Sequence, residues 1–317
     1  MTLGKRSAAD IAEQPDVLSA VLSRNAGALD RARRIVVGRR VVRLIGIGSS
    51  RHAAGYGSRV LDIVGNTPAT VLPAPGAAVP LPPLDPAQPF VVISQSGRTP
   101  SVLESVRRAR SAHVDVIAIT NEPDSPLEEL ATVTLRCEAG IERVVPATKS
   151  VTAQMLLLHA LTGDVAVGDL VGAVRRVLSL DLSRIADGDP PSAIVCGGFA
   201  AQWVADEIAL KFTEMAGLLV TSECVVEHFH GPRAAGVDTL AFLDPDDPNS
   251  SELARHRNVK TVGPGVGLDL VTPSTGRSTL DAIVSVIVGQ RIAHAWSLAL
   301  GEDPDADRGL QKVTRTR

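Results

Sequence analysis

Apolar and polar positions alternate in blocks along this chain. Short apolar runs, VVRLIGIG from Val41, ATVLPAP from Ala69, FVVISQSG from Phe90 and VDVIAIT from Val114, are separated by stretches with helical spacing, HAAGYGSRVLDIVG and SVLESVRRARSA. Strand and helix signals in strict alternation predict a parallel sheet covered by helices, an α/β fold. A polar, helix-like segment precedes the first strand. From Ala147 the run ATKSVTAQMLLLHALTG reads as a largely buried helix, followed by LVGAVRRVLSLDLSRIA. The sequence DGDPPS, Asp187 to Ser192, then breaks the pattern. A boundary there divides the chain into residues 1–187 (the N-terminal helical segment and a first domain) and 188–317 (a second domain). Beyond it the theme restarts, with AIVCGGF as a strand into a Gly-Gly turn, AAQWVADEIALKFTEMAG as a helix, and TLAFLD and GLDLVTP as further strands. The halves look like two copies of one architecture, although the letters alone are too dissimilar to define a repeat.

Two of the strand-to-helix turns carry hydroxyls. Phe90 to Ile93 reads as a buried strand, Thr99 and Pro100 read as N-cap and first helical residue, and between them stand Ser94, Gln95 and Ser96. Unpaired backbone N–H groups and the positive end of a helix dipole converge at such a turn, which suits an anion, and phosphate is the candidate ligand. The turn GIGSSRH brings Ser49 and Ser50 to a helix N-terminus in the same way. Its third dinucleotide-fingerprint position is Arg51 rather than glycine, so that motif is incomplete. The plainer alternative is that these hydroxyls only cap helices. Two such turns in one α/β domain favour a ligand, because strand ends of open parallel sheets are where ligands bind.

Composition narrows the class. The 317 residues suit two domains of ordinary size, and 44% hydrophobic with 3% aromatic residues implies a core of Val, Leu, Ile and Ala. A net charge of −3, with no basic cluster interleaved with aromatics, argues against nucleic acid as a partner. Cys137, Cys196 and Cys224 are widely spaced, which suggests neither a zinc site nor a disulfide framework. A reduced, cytoplasmic compartment is expected. The N-terminus has no continuous apolar stretch and nothing later approaches a membrane-spanning length, so no membrane partner is expected.

A second stretch carries acid-base candidates. Glu207, Lys211 and Glu214 are spaced by four and three and share a helix face. A solvated charge stripe is the plain reading. The apolar neighbours Ile208, Leu210, Phe212 and Met215 leave little of the helix obviously exposed. The turn HFHGP adds His228 and His230, each an ordinary loop histidine or an exposed proton carrier. Carboxylate, amine and imidazole together suit enolisation of a sugar.

The segments GIGSS, ISQSGRT, AGIERVVPATKSVTAQ, EIALKFTE, EHFHGP and the C-terminal LALGEDPDADRGLQKVTRTR, in this order, resemble the isomerase half of glutamine:fructose-6-phosphate amidotransferase (glucosamine-6-phosphate synthase). They are also similar to the deaminases and deglycases of the SIS (sugar isomerase) family. The resemblance runs from about residue 40 to the end. It implies two SIS domains, each a five-stranded parallel sheet in an αβα sandwich, and a homodimer with its active site at the subunit interface. It implies a phosphate loop at Ser94, Gln95, Ser96 and Thr99, with Ser49, Ser50 and Val145 as further sugar-binding positions. Glu214 falls on the enolising base, His230 on the ring-opening histidine, Lys211 and Glu207 on supporting groups. Lys312 falls on the tail lysine that meets the sugar's carbonyl carbon. The hydroxyls would then hold the phosphate without a cationic clamp, and neither cofactor nor metal is expected. The implied reaction is amino-sugar phosphate isomerisation with loss of ammonia, glucosamine 6-phosphate to fructose 6-phosphate, without glutaminase activity. Fructosamine-phosphate deglycation and non-catalytic phosphosugar sensing are the alternatives. Two departures bear on the substrate: Arg98 stands where the synthase has an acidic residue, and Ala147 replaces a serine.

Overall fold

The computed structural model describes residues 3–73 and 81–312. The end of ATVLPAP and the last five residues of the C-terminal motif lie outside the described residues. Three helices come first: α1 (Lys5–Ala12), α2 (Gln14–Arg24) and α3 (Ala26–Val36). The first sheet and its helices follow as β1 (Val42–Ile45), α4 (Ser49–Ile63), β2 (Ala69–Val71), β3 (Phe90–Ile93), α5 (Pro100–Ser111), β4 (Val116–Thr120), α6 (Pro126–Leu130), β5 (Val133–Arg136) and α7 (Lys149–Ala160). The second set comprises α8 (Val167–Leu178), β6 (Ala193–Cys196), α9 (Ala201–Ala216), β7 (Thr221–Cys224), α10 (Val225–Phe229), β8 (Thr239–Phe242), α11 (Ser250–Leu253), β9 (Val259–Gly263), β10 (Leu270–Val271) and α12 (Ser278–Ala299). The α/β expectation holds, with two parallel five-stranded sheets.

The first sheet has the order β2-β1-β3-β4-β5 and a register row Leu44–Val91–Ile117–Val133. All residues of β3 and β4 are buried, as strands covered on both faces must be. Alternate residues build separate cores. Ile45, Phe90, Val92, Val116 and Ala118 pack with Val102, Leu103, Val106 and Ala109 of α5 and Leu127 of α6. Helix α7 packs along α4 and is buried over all of its residues, including Lys149, Ser150 and Gln154. Right-handed crossovers leave β1 toward β2 and β3 toward β4 in opposite directions, so a crevice opens between the C-terminal ends of β1 and β3.

The second sheet has the order β10-β9-β8-β6-β7, which is the same winding traced from its own first strand. The sameness of architecture that the letters hinted at therefore holds at the level of strand order. Only Leu270 and Val271 of the predicted strand GLDLVTP pair, while β5, β7 and β9 were not evident as apolar runs.

Two compact units emerge. One comprises residues 16–142, 149–167 and 309–317 and holds the first sheet; the other comprises residues 1–15, 143–148 and 168–308 and holds the second. Each sheet lies wholly on its own side of the expected boundary at 187/188, whereas segments 3–15, 143–148 and 168–187 cluster with the second sheet and 309–312 with the first, each across that boundary.

One expectation needs correction. Helix α12 is long and apolar enough to cross a membrane, with a mean hydropathy of 1.3. It is the core helix of the second unit: it packs along α9, and Leu280, Ile283, Val284, Ile287, Val288 and Ile292 are buried. Its apolar residues lie all round because protein surrounds it.

Candidate functional site

In the first unit, the hydroxyl turn after β3 is held by its backbone. Ser94 N–H donates to Ile119 O (3.0 Å), closing the sheet, and Gly97 N–H donates to Ser94 O (3.1 Å). Gln95 O accepts from the N–H groups of Asn121 (2.9 Å) and Glu122 (3.2 Å) and from Thr120 Oγ1 (3.2 Å). Gly97 has φ +59°, and a Cβ there would lie 2.3 Å from Ser125 Oγ. Glycine is required on both counts. The side chain of Gln95 reaches Glu122 Oε1 (3.3 Å), and Ser96 Oγ accepts from Arg98 N–H (3.3 Å). Arg98 itself is exposed and turned toward Asp124 O.

Thr99, the N-cap of α5, forms no side-chain cap hydrogen bond, and the N-cap of α4 is Gly48, which has no side chain to cap with. The hydroxyls line a cavity instead. Ser50, Ser94, Gln95, Ser96 and Thr99 surround about 100 Å³, with Ile47, Ile93 and Val102 as its apolar wall and Lys312 beside them. Ser50, Ser94 and Ser96 are buried. Ser50 Oγ also donates to Gln154 Oε1 of α7 (3.4 Å). The cavity lies at the crevice between β1 and β3.

Lys312 changes the electrostatics expected for this turn. A cation does accompany the hydroxyls, and behind it, 3.6 Å from its Nζ, stands the buried carboxylate of Glu142. Glu142 was not singled out among the sequence candidates. It lies inside AGIERVVPATKSVTAQ, but a single acid in a segment without regular spacing carries no periodic signal. Of the other expected sugar contacts, Ser49 is the half-buried first residue of α4 and is not among the residues lining this cavity. Val145 is half-buried within residues 143–148, which belong to the other unit.

In the second unit, the Glu-Lys-Glu stripe is not solvated. The side chains of Lys211 and Glu207 are 0% and 2% exposed, and that of Glu214 is 14% exposed. Lys211 Nζ lies 3.4 Å from Glu207 Oε1 and donates a short hydrogen bond to Glu214 Oε2. One ammonium thus serves two carboxylates in surroundings that penalise every unpaired charge. The two histidines separate by environment. His228 is buried, its Nδ1 2.9 Å from Glu223 Oε2, and is a structural group. His230, just past the end of α10, is exposed; among the described residues its imidazole has no hydrogen bond or ion pair, and its backbone N–H donates to Glu227 O (2.9 Å).

The equivalent crevice of the second sheet is already filled. Gly198 N–H donates to Asp247 Oδ2 (3.0 Å), and a Cβ on Gly198, whose φ is +79°, would lie 1.9 Å from Asp244 Oδ2. The chain's own carboxylates occupy the place an anion would take. Burial, with the neighbouring aspartates, raises the pKa of Asp244. The crevice of the first sheet is therefore open and lined with hydroxyls, while its counterpart on the second is occupied by Asp244 and Asp247.

These features agree with the comparisons. Residues 35–162, which contain both hydroxyl turns and the whole of α7, match the SIS domain. Residues 35–162 thus carry a SIS domain. It is 30% identical to a glutamine–fructose-6-phosphate aminotransferase (isomerizing) of Aeropyrum pernix, over 90% of this chain and 53% of that protein. The chain spans about half the length of the curated relatives it matches. Among solved structures, the fold is shared with tagatose-6-phosphate ketose/aldose isomerase from Escherichia coli (TM-score 0.80, 18% identity, covering 98% of this chain and 97% of that one). It is also shared with glucosamine-6-phosphate deaminase from Thermotoga maritima (TM-score 0.72, 22% identity, covering 98% and 100%). The SIS resemblance read from the motifs is thereby confirmed.

Proposed function

We propose that this protein is a SIS-type isomerase-deaminase that converts an amino-sugar phosphate, glucosamine 6-phosphate, with water into fructose 6-phosphate and ammonia. The observation that carries the reading is the cavity at the β1/β3 crevice, where buried hydroxyls, helix N-termini and the ammonium of Lys312 converge. That combination suits a phosphate monoester joined to a polyhydroxyl chain. The blocked crevice of the second sheet supports one such site per chain. The second sheet repeats the winding of the first, and the part of the chain that holds it is assigned as a second SIS domain.

In this reading Ser94, Ser96, Thr99 and Ser50 take the phosphate and the first hydroxyls, with Gln95, Ser49 and Val145 as further contacts. His230 moves the ring-oxygen proton that opens the sugar, and its exposed, unbonded imidazole suits action on a second copy of the chain in a homodimer. Glu214 removes the proton from the carbon bearing the amine and returns it to the neighbouring carbon, turning the amino aldehyde into a ketimine. Water then adds to the ketimine and ammonia leaves, giving the ketose. Lys211 holds Glu214 in place and Glu207 balances Lys211. Lys312 meets the sugar at its carbonyl end.

The test is to incubate the purified protein with hexosamine 6-phosphates and measure ammonia and ketose phosphate together. Equimolar release of both is expected. Ketose interconversion without ammonia would leave a simple isomerase, and binding without turnover would leave a sensor.

A further inference from the structure

We propose that Glu142 is the positioning residue that seats the C-terminal tail, acting through Lys312. The inference rests on the reading of Lys312 as the group that meets the sugar, and it names what holds that group there. Ala306 to Gln311 are exposed, and Lys312 is the first residue after them to turn inward, with its side chain 29% exposed. The group it turns toward is a carboxylate with no exposed surface. Glu142 Oε1 accepts from Ser150 N–H at the start of α7 (3.4 Å), Oε2 accepts a short hydrogen bond from Ser150 Oγ, and Lys312 Nζ lies 3.6 Å from Oε2.

The roles of these contacts differ. Ser150 and the positive end of α7 offer dipoles to Glu142, whereas Lys312 offers a full opposite charge. A carboxylate removed from water is strongly stabilised by such a charge, so the attraction holds Lys312 against Glu142. The same ammonium lines the hydroxyl cavity, which makes the tail's seating and the completion of the site a single event. Neutralising Glu142 keeps an acceptor for Ser150 and removes the charge felt by Lys312. Glu142→Gln is therefore the informative change.

The first test needs no ligand. Trypsin cleaves after Lys312 only when its side chain has left Glu142 and entered the protease, so the rate at which a species ending at Lys312 appears, followed by intact mass, reads seating of the tail. Glu142→Gln should raise that rate on the order of tenfold, within the usual range of pairwise couplings. Ser150→Ala, which keeps the Glu142 charge, should leave the rate near wild type. Equal rates for wild type and Glu142→Gln, or acceleration by Ser150→Ala as large as that by Glu142→Gln, would overturn the proposal.

The second test is a double-mutant cycle on kcat/KM for glucosamine 6-phosphate. If Glu142 acts through Lys312, Glu142→Gln combined with Lys312→Met should be no worse than Lys312→Met by itself. Additive losses would mean Glu142 serves the fold and not the tail. A wild-type protein that neither binds nor turns over the sugar phosphate would refute the functional reading, and the trypsin rates would then decide the anchor by themselves.

Discussion

Replacing Glu214 with glutamine separates proton transfer from architecture, because the structure lets both consequences be worked out. In the wild type the buried group Glu207–Lys211–Glu214 carries two negative charges and one positive, with Lys211 donating to Glu214 Oε2. The glutamine variant retains a carbonyl oxygen for that hydrogen bond and leaves Lys211 paired with Glu207, so no buried charge is stranded. The stability change should stay within about 1–2 kcal/mol, the scale of one altered hydrogen bond. Turnover behaves differently, since the amide cannot accept the proton. General acid-base catalysis contributes roughly a hundred- to ten-thousand-fold, and at least the lower figure should be lost with little change in substrate affinity. Lys211→Met makes the opposite comparison. It takes the ammonium away from two carboxylates, one of them wholly buried, and should destabilise by about 3–5 kcal/mol in denaturant titration. The assay for Glu214 is solvent-deuterium exchange at the carbon next to the carbonyl, followed by proton NMR. Wild type should wash in deuterium and Glu214→Gln should not. Undiminished exchange in a folded Glu214→Gln protein would refute the assignment and move the base to another carboxylate, with Glu227, exposed on α10 and three residues before His230, the first to examine.

Ser96→Ala should weaken sugar-phosphate binding by about 1.5–3 kcal/mol, the range for a hydrogen bond to a charged group, with the fold unchanged; unaltered affinity in calorimetry would remove this turn from the cradle. Burial holds the thiols of Cys137 and Cys196 well above the ordinary cysteine range, so native protein should take up a maleimide at Cys224 only, and mass spectrometry showing two or three labels before unfolding would contradict the packing. The cysteines should also be dispensable for chemistry, so a Cys→Ser change that abolished turnover at unchanged thermal stability would call for a thiol mechanism. Asp244 binds its proton more tightly folded than unfolded, so the native state holds more protons between the two pKa values and its stability falls as pH rises through that window. Asp244→Asn should therefore melt higher than wild type near neutrality, with the gap narrowing toward pH 4 and below; a gap independent of pH would rule out this origin.

Local chemistry determined much of this protein before any folding. The strand Phe90–Ile93, the glycine-hinged hydroxyl turn and a helix opening at Pro100 are set by neighbours in the chain, and all three appear where the sequence places them. The buried helix from Lys149 and the parallel α/β class follow from the same short-range patterns. Helix α12 is not among the elements read from the sequence, and like α7 it is apolar on every side and offers no amphipathic period. Whether Glu207 and Lys211 were solvated or buried was equally beyond spacing. Packing of α9 along α12 settles it, since their spacing is the same on a surface helix. The blocked second crevice depends on Asp244 and Asp247, which reach Gly198 from the far side of a strand crossover. Glu142, Ser150 and Lys312 come from a loop, a helix and the tail, and only the folded chain brings them within reach of one another. Periodicity reports which face of an element is apolar, whereas the pairing of a buried charge depends on which distant segment fills the space beside it, and tertiary packing alone decides that.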